Sequence, residues 1–382
     1  MQSQKHLFQL DESVTYLNCA YMSPMMKSVE NAGIEGMRRK RNPFQVRPID
    51  FFTDVEKVQQ EFAKLINVPN HKSVALVASA SYGLANVTQN VPLSKGDKII
   101  MVDEQFPSNY YSWECVAQEK QAKIQVIKPP ETLENRGKIW NEWILEAIDH
   151  STKVVAIANV HWADGTKFDL LAIRKRSREV GALLVIDGTQ SVGALPFDVQ
   201  EIQPDALICA GYKWLFGPYS IAIGYFGEAF DNGTPIEESW MNRFESENFS
   251  NLVNYQPLYQ PKAQRYQVGE ASNFINVPMF LEALKKLNHW EISNIQDYCE
   301  SITKNTVEIL QSKGFIIEDK AYRGHHLIGM RMPEHLSVDA IRQQLAEAKI
   351  AVSIRGNAIR IAPNVYNEER DLERLVEILG NV

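Results

Sequence analysis

Short apolar runs that alternate with helical stretches constrain the fold of this chain most. The runs have the length of β-strands and lie at 74–78, 98–102, 154–160, 183–186 and 206–210. A helix is predicted between two of them at 169–181, with Asp169 as its N-cap and a glycine at its C-terminal end. Near-continuous apolar runs are typical of strands buried on both faces. The alternation therefore predicts a mostly parallel sheet between two layers of helices.

Two neighbouring runs of this pattern are followed by side chains of opposite charge. Asp187 comes directly after the run at 183–186, and Lys213 follows the run at 206–210. The carboxyl ends of parallel strands meet at one edge of a sheet, where α/β proteins bind their ligands. An acid and a lysine at such an edge are often an ordinary ion pair, so these two residues alone leave the function open.

Composition sets broad limits on the function. A chain of 382 residues with 45% apolar content can bury a sizeable core and is expected to form two domains. Its net charge of −7 argues against a general nucleic-acid-binding protein. No signal peptide or membrane span is indicated, which predicts a cytoplasmic protein. The four cysteines have no metal-ligand spacing, so we expect free thiols and no metal site.

The remaining segments predict helices and a compact C-terminal α+β unit. Thr53 and Glu56 have the spacing of a capping box at the start of an amphipathic helix. Pro278 begins a long or broken helix that ends before Gly314. Beyond 315 the order is strand, strand, helix (337–349), strand, strand, helix (368–379). The segment 230–260 has no clear period and is interpreted as a subunit contact and pocket edge.

Two motifs connect the acid and the lysine to a known family. The sequence DGTQS at 187–191 is followed by GYKWLFGP at 211–218. Together they resemble the class V, cysteine desulfurase-like branch of the fold type I pyridoxal 5'-phosphate (PLP) enzymes. The resemblance implies an α/β fold with a large domain, built on a mostly parallel seven-stranded sheet, and a small α+β C-terminal domain. It also implies a homodimer with the active site at the subunit interface.

On this resemblance the chain divides into an N-terminal arm (1–15), a large PLP-binding domain (16–275) and a small domain (276–382) joined by part of the arm. Lys213 would carry PLP as a Schiff base, for which its amine must be partly deprotonated. Asp187 would face the pyridine nitrogen and keep it protonated, so that the ring accepts electrons from the substrate. Gln190 would donate a hydrogen bond to the phenolic oxygen of the cofactor.

The resemblance also places residues around the cofactor phosphate. The small-residue turn SASYG at 79–83 opens a helix, and free amides at a helix N-terminus are a good seat for a phosphate. Ala80 and Ser81 are the expected contacts there. Tyr212 would add its hydroxyl, as tyrosine does in kynureninase-like members. Asn273, or Ser272 beside it, in GEASNF at 269–274, would contact the phosphate bound by the neighbouring subunit.

Further positions correspond to the cofactor ring and the substrate. Phe106, in a Phe-Pro pair like that of kynureninases, would stack on the ring, and Trp162 stands where the family often has an asparagine that binds the phenolic oxygen. Tyr21, in YLNCAYMSP at 16–24, would lie along the substrate. Arg360, in AIRIAPN at 358–364, would hold the alpha-carboxylate, because a guanidinium makes a planar bidentate contact. Arg355 is its nearby competitor.

The expected activity is that of an aminotransferase acting on an amino acid or related amine as a small-molecule substrate, since this reaction requires no further catalytic group. A lyase or epimerase, kynureninase-like or isopenicillin N epimerase-like, is the alternative. Cysteine desulfurase chemistry is disfavoured, because the interval VSIRGNA at 352–358 lacks both the cysteine and the loop that such enzymes place before the arginine. A non-catalytic PLP-binding protein is the least expected reading, and an α/β enzyme with another phosphate-bearing cofactor is the fallback.

Overall fold

The structure is a computed structural model and describes residues 1–380. The strands are β1 (Thr15–Tyr16), β2 (Val74–Val77), β3 (Lys98–Val102), β4 (Lys123–Ile127), β5 (Thr152–Ala158), β6 (Leu183–Asp187), β7 (Ala206–Ala210), β8 (Ala222–Phe226), β9 (Ile316–Ile317), β10 (Ile328–Arg331), β11 (Ile350–Ala351), β12 (Ser353–Arg355) and β13 (Ala358–Ile361). The helices are α1 (Lys27–Arg39), α2 (Asp50–Leu65), α3 (Ala80–Asn90), α4 (Pro107–Lys120), α5 (Arg136–Ala147), α6 (Leu170–Glu179), α7 (Val199–Ile202), α8 (Asn276–Trp290), α9 (Ile292–Ser312), α10 (Val338–Glu347) and α11 (Glu369–Gly380).

The main sheet of the described chain has seven strands in the order β2-β8-β7-β6-β5-β3-β4. Strand β8 runs antiparallel to both of its neighbours, and the other paired strands are parallel. The carboxyl ends of β2, β3, β5, β6 and β7 consequently lie at one edge. The prediction of a mostly parallel seven-stranded sheet is confirmed.

Alternate side chains of this sheet enter two separate cores, as the period of two residues in a strand requires. One face packs against α1, α2, α5, α6 and α8, with Phe62, Trp140 and Leu284 fully buried. The other face packs against α3 and α4, with Leu84 and Trp113 fully buried. Helices cover both faces, which explains why β2, β3, β5, β6 and β7 read as near-continuous apolar runs, whereas the edge strand β4 alternates.

The C-terminal unit is a four-stranded antiparallel sheet of order β12-β13-β10-β9, whose core includes apolar residues of α9, α10 and α11. The N-terminal segment joins it, since β1 pairs in parallel with β11. This confirms the predicted α+β unit. The domain boundaries remain a prediction, and α8, which begins at 276, packs against α1 and α2 under the large sheet.

Of the helix boundaries predicted from the sequence, some are confirmed and one is wrong. Asp169 caps α6 by accepting the backbone N–H of Ala172 at 3.0 Å, as predicted. The capping box at Thr53 is wrong, because α2 already begins at Asp50 and the Thr53 hydroxyl donates back to the Ile49 carbonyl at 2.9 Å. The long C-terminal helix is broken between α8 and α9 at Glu291, where φ is 63°. Within residues 1–380, no helix is long and apolar enough to span a membrane.

Candidate active site

A cavity of about 280 Å³ opens at the carboxyl edge of the large sheet. Its walls are the turns that follow β2, β3, β5 and β6, together with the loop between β7 and β8. The structure brings eight residues predicted for the site together around this cavity, namely Ala80, Ser81, Phe106, Trp162, Asp187, Gln190, Tyr212 and Lys213.

Lys213 lies in the loop that joins the antiparallel strands β7 and β8. The Gly211 N–H donates to the Ile221 carbonyl at 3.0 Å and the Gly217 N–H to the Gly211 carbonyl at 2.8 Å, which closes the loop into a compact turn. The lysine is only 6% exposed, and burial lowers its pKa from 10.5 to about 8. Within the described chain its amine has no hydrogen-bond or ion-pair partner. A fraction of the amine is therefore neutral and nucleophilic near neutral pH.

Asp187 ends β6 and is buried beside the cavity. One carboxylate oxygen accepts the Thr189 N–H at 3.0 Å. Burial raises the pKa of Asp187, although Thr189 and Lys213 act in the opposite direction. A hydrogen-bond donor that enters the cavity would stabilise the carboxylate, and the protonated pyridine nitrogen of PLP is such a donor.

The N-terminus of α3 forms another wall of the cavity. The Ser79 hydroxyl caps this helix by accepting the Tyr82 N–H at 3.1 Å. The backbone amides of Ala80 and Ser81 have no hydrogen-bond partner among residues 1–380. With the half-buried Tyr212 nearby, these amides and the positive end of the helix dipole fit a phosphate.

The two predicted partners of the phenolic oxygen are largely occupied by other contacts. The Gln190 amide donates to the Ala20 carbonyl at 3.1 Å and accepts the Trp214 indole N–H at 2.9 Å, which leaves one amide N–H free. The Trp162 indole N–H donates to the Glu104 carbonyl at 2.6 Å, so no side-chain donor remains on this residue.

Phe106 and Trp162 form an aromatic corner beside the lysine. Their ring centroids are 5.6 Å apart and the rings are nearly perpendicular, at 87°. The amine nitrogen of Lys213 lies 5.3 Å from the centroid of the Phe106 ring. Phe106 is in a position to cover a ring bound next to Lys213.

Arg360 belongs to β13 in the C-terminal unit; it does not line the cavity itself but contacts Trp162 of the cavity wall. Its guanidinium donates to the Trp162 carbonyl and to the Ser353 hydroxyl, the latter at 3.2 Å. It is 1% exposed, its Nε has no partner, and no acid of the described chain pairs with it. Burial, and secondarily the charge of Arg355, lower the pKa of Arg360 to about 10. A buried cation without a counter-ion is suited to bind an anion.

The structure does not bring Tyr21 and Asn273 to the cavity wall. Tyr21 is 60% exposed and lines a separate groove of about 450 Å³ with Arg355. Asn273 is exposed, and its side-chain oxygen accepts the N–H groups of Ile275 at 3.0 Å and Asn276 at 2.9 Å at the start of α8. Their proposed contacts with substrate and with a neighbouring subunit stay predictions.

Sequence reasoning missed Thr189 and His326. The Thr189 hydroxyl accepts the Ala210 N–H at 3.1 Å and ties the ends of β6 and β7 together; its place two residues after Asp187 was a usable signal. His326 is fully buried, with its ring nitrogens at 2.9 Å from the Gln190 carbonyl and 2.8 Å from the Gln296 amide. Burial lowers its pKa to about 4, so a neutral imidazole positions Gln190. No local pattern could have indicated this distant contact.

His161, which precedes Trp162, has a structural environment. It is 1% exposed, and its Nδ1 lies 3.0 Å from Asp164. Asp164 also pairs with Arg331 at 3.1 Å and with Arg136 at 3.7 Å. Arg331 belongs to β10, so this buried ion cluster fixes the loop that carries Trp162 against the C-terminal unit.

Comparison with known proteins agrees with this geometry. Residues 44–375 match the family model described as aminotransferase class-V. An uncharacterised aminotransferase of Bacillus subtilis, YcbU, is 29% identical over 323 residues, which cover 84% of this chain and 82% of the relative. A kynureninase of Cryptococcus neoformans is 24% identical over 357 residues, covering 85% of this chain and 77% of the relative.

Solved structures show the same fold at low identity. The cysteine desulfurase CsdA of Escherichia coli superimposes with a TM-score of 0.81 at 18% identity, over 99% of this chain and 96% of that one. A C-DES variant with glycine covalently linked to its PLP cofactor gives 0.85 at 16% identity, over 99% of both chains. The predicted fold type I architecture is thereby confirmed.

The cavity fits the cofactor of this family. It offers a buried amine with a lowered pKa, a buried carboxylate that gains from a donor, and two free amides at a helix N-terminus. These features match the aldehyde, the pyridine nitrogen and the phosphate of PLP. With the family match over residues 44–375, they establish the chain as an enzyme that belongs to the class V aminotransferase family and takes pyridoxal 5'-phosphate as its cofactor.

Proposed function

We propose that this enzyme is an amino-acid aminotransferase in which Lys213 holds the cofactor. The observation that carries the proposal is the small set of ionisable side chains around the cavity. Among the described residues that line it, Lys213 and Asp187 are the charged ones, and Tyr212 and Tyr219 add phenols. Transfer of an amino group needs one base that removes and returns a proton, whereas most alternative reactions need further groups.

Each residue of the cavity has a distinct role in this proposal. The Lys213 amine would hold the cofactor, and the Asp187 carboxylate would keep a proton on the pyridine nitrogen. The amides of Ala80 and Ser81 and the Tyr212 hydroxyl bind the phosphate, and Phe106 covers the ring. Gln190 has one free amide N–H that would donate to the phenolic oxygen. Trp162 packs its ring against Phe106 and so forms part of the cavity wall.

Substrate orientation falls to Arg360. Its buried guanidinium has no acid partner in the described chain, and its position beside Trp162 connects it to the cavity wall. An alpha-carboxylate bound there would direct the alpha carbon toward the Lys213 amine. A charge-assisted contact of this kind contributes about 1.5–3 kcal/mol to substrate binding.

Proton movement is assigned to the nitrogen of Lys213. Bound PLP supplies an electron sink that stabilises negative charge at the alpha carbon. Because burial lowers the pKa of Lys213 to about 8, the amine can accept the alpha proton near neutral pH and release it again. The aromatic corner of Phe106 and Trp162 limits the access of water to this nitrogen.

A kynureninase-like lyase, or an epimerase, is the second candidate. The kynureninase relative of Cryptococcus neoformans and the kynureninase-like residues Phe106 and Tyr212 favour it. Cysteine desulfurase activity has less support. Cys19, Cys209 and Cys299 are buried, and none of the cysteines in the described chain lines the cavity.

A homodimer is also part of the proposal. The segment 240–258 exposes several apolar side chains, including Val253 at 81% and Tyr255 at 95%. Phe44 is 82% exposed as well. Large exposed apolar side chains of this number are typical of a contact surface. Asn273 would act across the same contact. Light scattering of the wild type and of Asn273→Ala tests whether the protein is a dimer and whether Asn273 contributes to the contact.

The test of function starts from the visible absorption of the purified protein with PLP, before and after borohydride. Reduction should remove the band and leave the cofactor on Lys213, as located by peptide mass mapping. Lys213→Ala should lack the reducible band, whereas Lys138→Ala, an exposed lysine of α5, should keep it. Absence of the band in the wild-type protein would refute the assignment of Lys213.

Product analysis separates the candidate reactions. In the absence of a second substrate, an aminotransferase converts one equivalent of amino acid per active site to its 2-oxo acid. It can then aminate an oxo acid that is added afterwards. A lyase releases a fragment of the side chain, and an epimerase inverts the amino acid without an oxo acid. Either of the latter results would replace aminotransferase by the second candidate.

A further inference from the structure

Two arginines project from one face of the hairpin that β12 and β13 form. In this antiparallel pair Ser353 lies opposite Arg360, and Arg355 lies opposite Ala358. Opposed residues share a face, and so do residues two apart on a strand. Arg355 and Arg360 are therefore diagonal neighbours on the same face, at a typical spacing of about 7–8 Å, which long side chains can bridge. The contact of Arg360 with the Ser353 hydroxyl at 3.2 Å agrees with this register.

The two arginines differ in burial but converge on one tryptophan. Arg360 is 1% exposed and donates to the Trp162 carbonyl. Arg355 is exposed, and its guanidinium carbon lies 5.4 Å from the centroid of the Trp162 ring. Both guanidinium groups thus contact Trp162, which belongs to the cavity wall itself.

Neither arginine has an acidic partner among residues 1–380. The groove of about 450 Å³ beside Arg355 contains a second arginine, Arg342, but that residue is paired with Asp339 at 2.5 Å. Asp187 is the one acid of the described chain that lines the cavity. The two arginines consequently leave uncompensated positive charge beside Trp162, which favours an anion over a neutral group.

The charge of Arg355 affects the pKa values of Lys213 and Arg360. Burial is the main cause of the lowered pKa of the Lys213 amine, and the charge of Arg355 is a smaller cause in the same direction. Arg355 is also the second cause, after burial, of the lowered pKa of Arg360. An anion bound at Arg355 would relieve this repulsion. Arg355 therefore belongs electrostatically to the active site although it lies outside the cavity.

We infer that Arg355, supported by the ring of Trp162, binds a second carboxylate on the substrate, so that the enzyme prefers dicarboxylic amino acids and their oxo acids. This inference rests on the proposed function, because Arg360 must hold the alpha-carboxylate. A guanidinium stacked on an aromatic face keeps its N–H edge free for a forked contact with a carboxylate. A neutral substrate side chain would leave this edge to water.

The test measures binding to the enzyme loaded with PLP and does not require turnover. Isothermal titration calorimetry compares succinate, glutarate and adipate with the monocarboxylates of equal carbon number. The proteins are the wild type, Arg355→Gln, Arg355→Lys and Arg360→Gln. Arg370→Gln is the matched control, since Arg370 is an exposed arginine of α11 that pairs with Glu368 at 2.8 Å.

In the wild type, one dicarboxylate should bind about tenfold more tightly than its monocarboxylate, the ratio expected for one partly solvated charge-assisted contact. Arg355→Gln should bring this ratio close to one, and Arg355→Lys should retain part of it. Arg370→Gln should keep the wild-type ratio. Equal binding of both acids by the wild type, or an unchanged ratio in Arg355→Gln, would overturn the inference.

Failure of the proposed function gives a different result. Arg360→Gln should weaken both classes of acid, because it removes the site of the shared carboxylate. If both acids bind Arg360→Gln as they bind the wild type, Arg360 is not the carboxylate site and the proposed substrate orientation is wrong. A ratio that depends on Arg355 would then place dicarboxylate binding elsewhere than between the two arginines and would refute the inference as well.

Discussion

Replacing Lys213 by methionine should stabilise the cofactor-free protein. Methionine has nearly the length of lysine without the amine, so the packing of the loop between β7 and β8 is kept while the buried charge is lost. Burial lowers the pKa of Lys213 from 10.5 to about 8. At about 1.4 kcal/mol per pH unit, this difference means that the fully protonated lysine costs the fold about 3.5 kcal/mol.

The sign of the effect with pH follows from proton linkage. Between about pH 8 and pH 10.5 the unfolded chain binds the lysine proton more strongly than the folded chain, so the free energy of unfolding rises with pH. The full cost is present below pH 8, and it has disappeared above pH 10.5. Methionine should therefore be more stable by about 3 kcal/mol near pH 7 and by about 1 kcal/mol near pH 10.

Urea unfolding of the cofactor-free proteins, followed by circular dichroism at these two pH values, measures the difference. Lys138→Met is the control, because Lys138 is exposed on α5 and its replacement should change the free energy of unfolding by less than about 0.5 kcal/mol. Equal stability of Lys213→Met and the wild type near pH 7 would refute the reasoning. A stabilisation that is independent of pH would show that packing, and not charge, is its cause.

Two further substitutions test the supports of the site. Ser79→Ala removes the cap of α3, so it should lower the free energy of unfolding by about 1 kcal/mol and weaken PLP binding. Urea unfolding and cofactor titration measure these two effects. Ser79→Asp should keep the cap. Asp164→Asn leaves Arg331 and Arg136 without their acid and should cost about 3–5 kcal/mol by the same unfolding measurement. Although burial opposes ionisation, His161 and Arg331 hold the pKa of Asp164 well below its usual range. Its contribution is thus present above about pH 4 and lost as the pH falls, and an acid midpoint equal in wild type and Asp164→Asn would contradict this.

The sheet and the centre of the site could be predicted because both are local in sequence. Five strands of the large sheet, β2, β3, β5, β6 and β7, are apolar runs, whereas β4 alternates polar and apolar residues and was not predicted. Asp187 ends β6 and Lys213 comes shortly after β7, so the parallel arrangement of these strands brings both residues to one edge. The free amides of Ala80 and Ser81 follow from a small-residue turn before a helix. The family motifs cover these same short segments.

What could not be predicted depends on contacts between distant segments. The occupied amide of Gln190 is explained by Ala20 and Trp214, and His326 reaches it from the C-terminal unit. The capping box at Thr53 failed because the preceding residues extend the helix, which the spacing of two residues does not reveal. Arg355 and Arg360, read as competitors from sequence, turn out to occupy one face of a hairpin at different depths.

The antiparallel strand β8 also bears on the order in which this chain folds. Strands β7 and β8 are joined by the short loop that carries Lys213, so this hairpin needs only local closure. Strand β2, which leads into the amides of Ala80 and Ser81, joins the sheet only by pairing with β8, as Val77 does with Ala222. Such long-range closure is slow, because a large loop must be ordered before the pairing is gained. We expect the lysine to be in place early and the phosphate seat late, so that a nascent or refolding chain becomes able to retain its cofactor only when the sheet is complete.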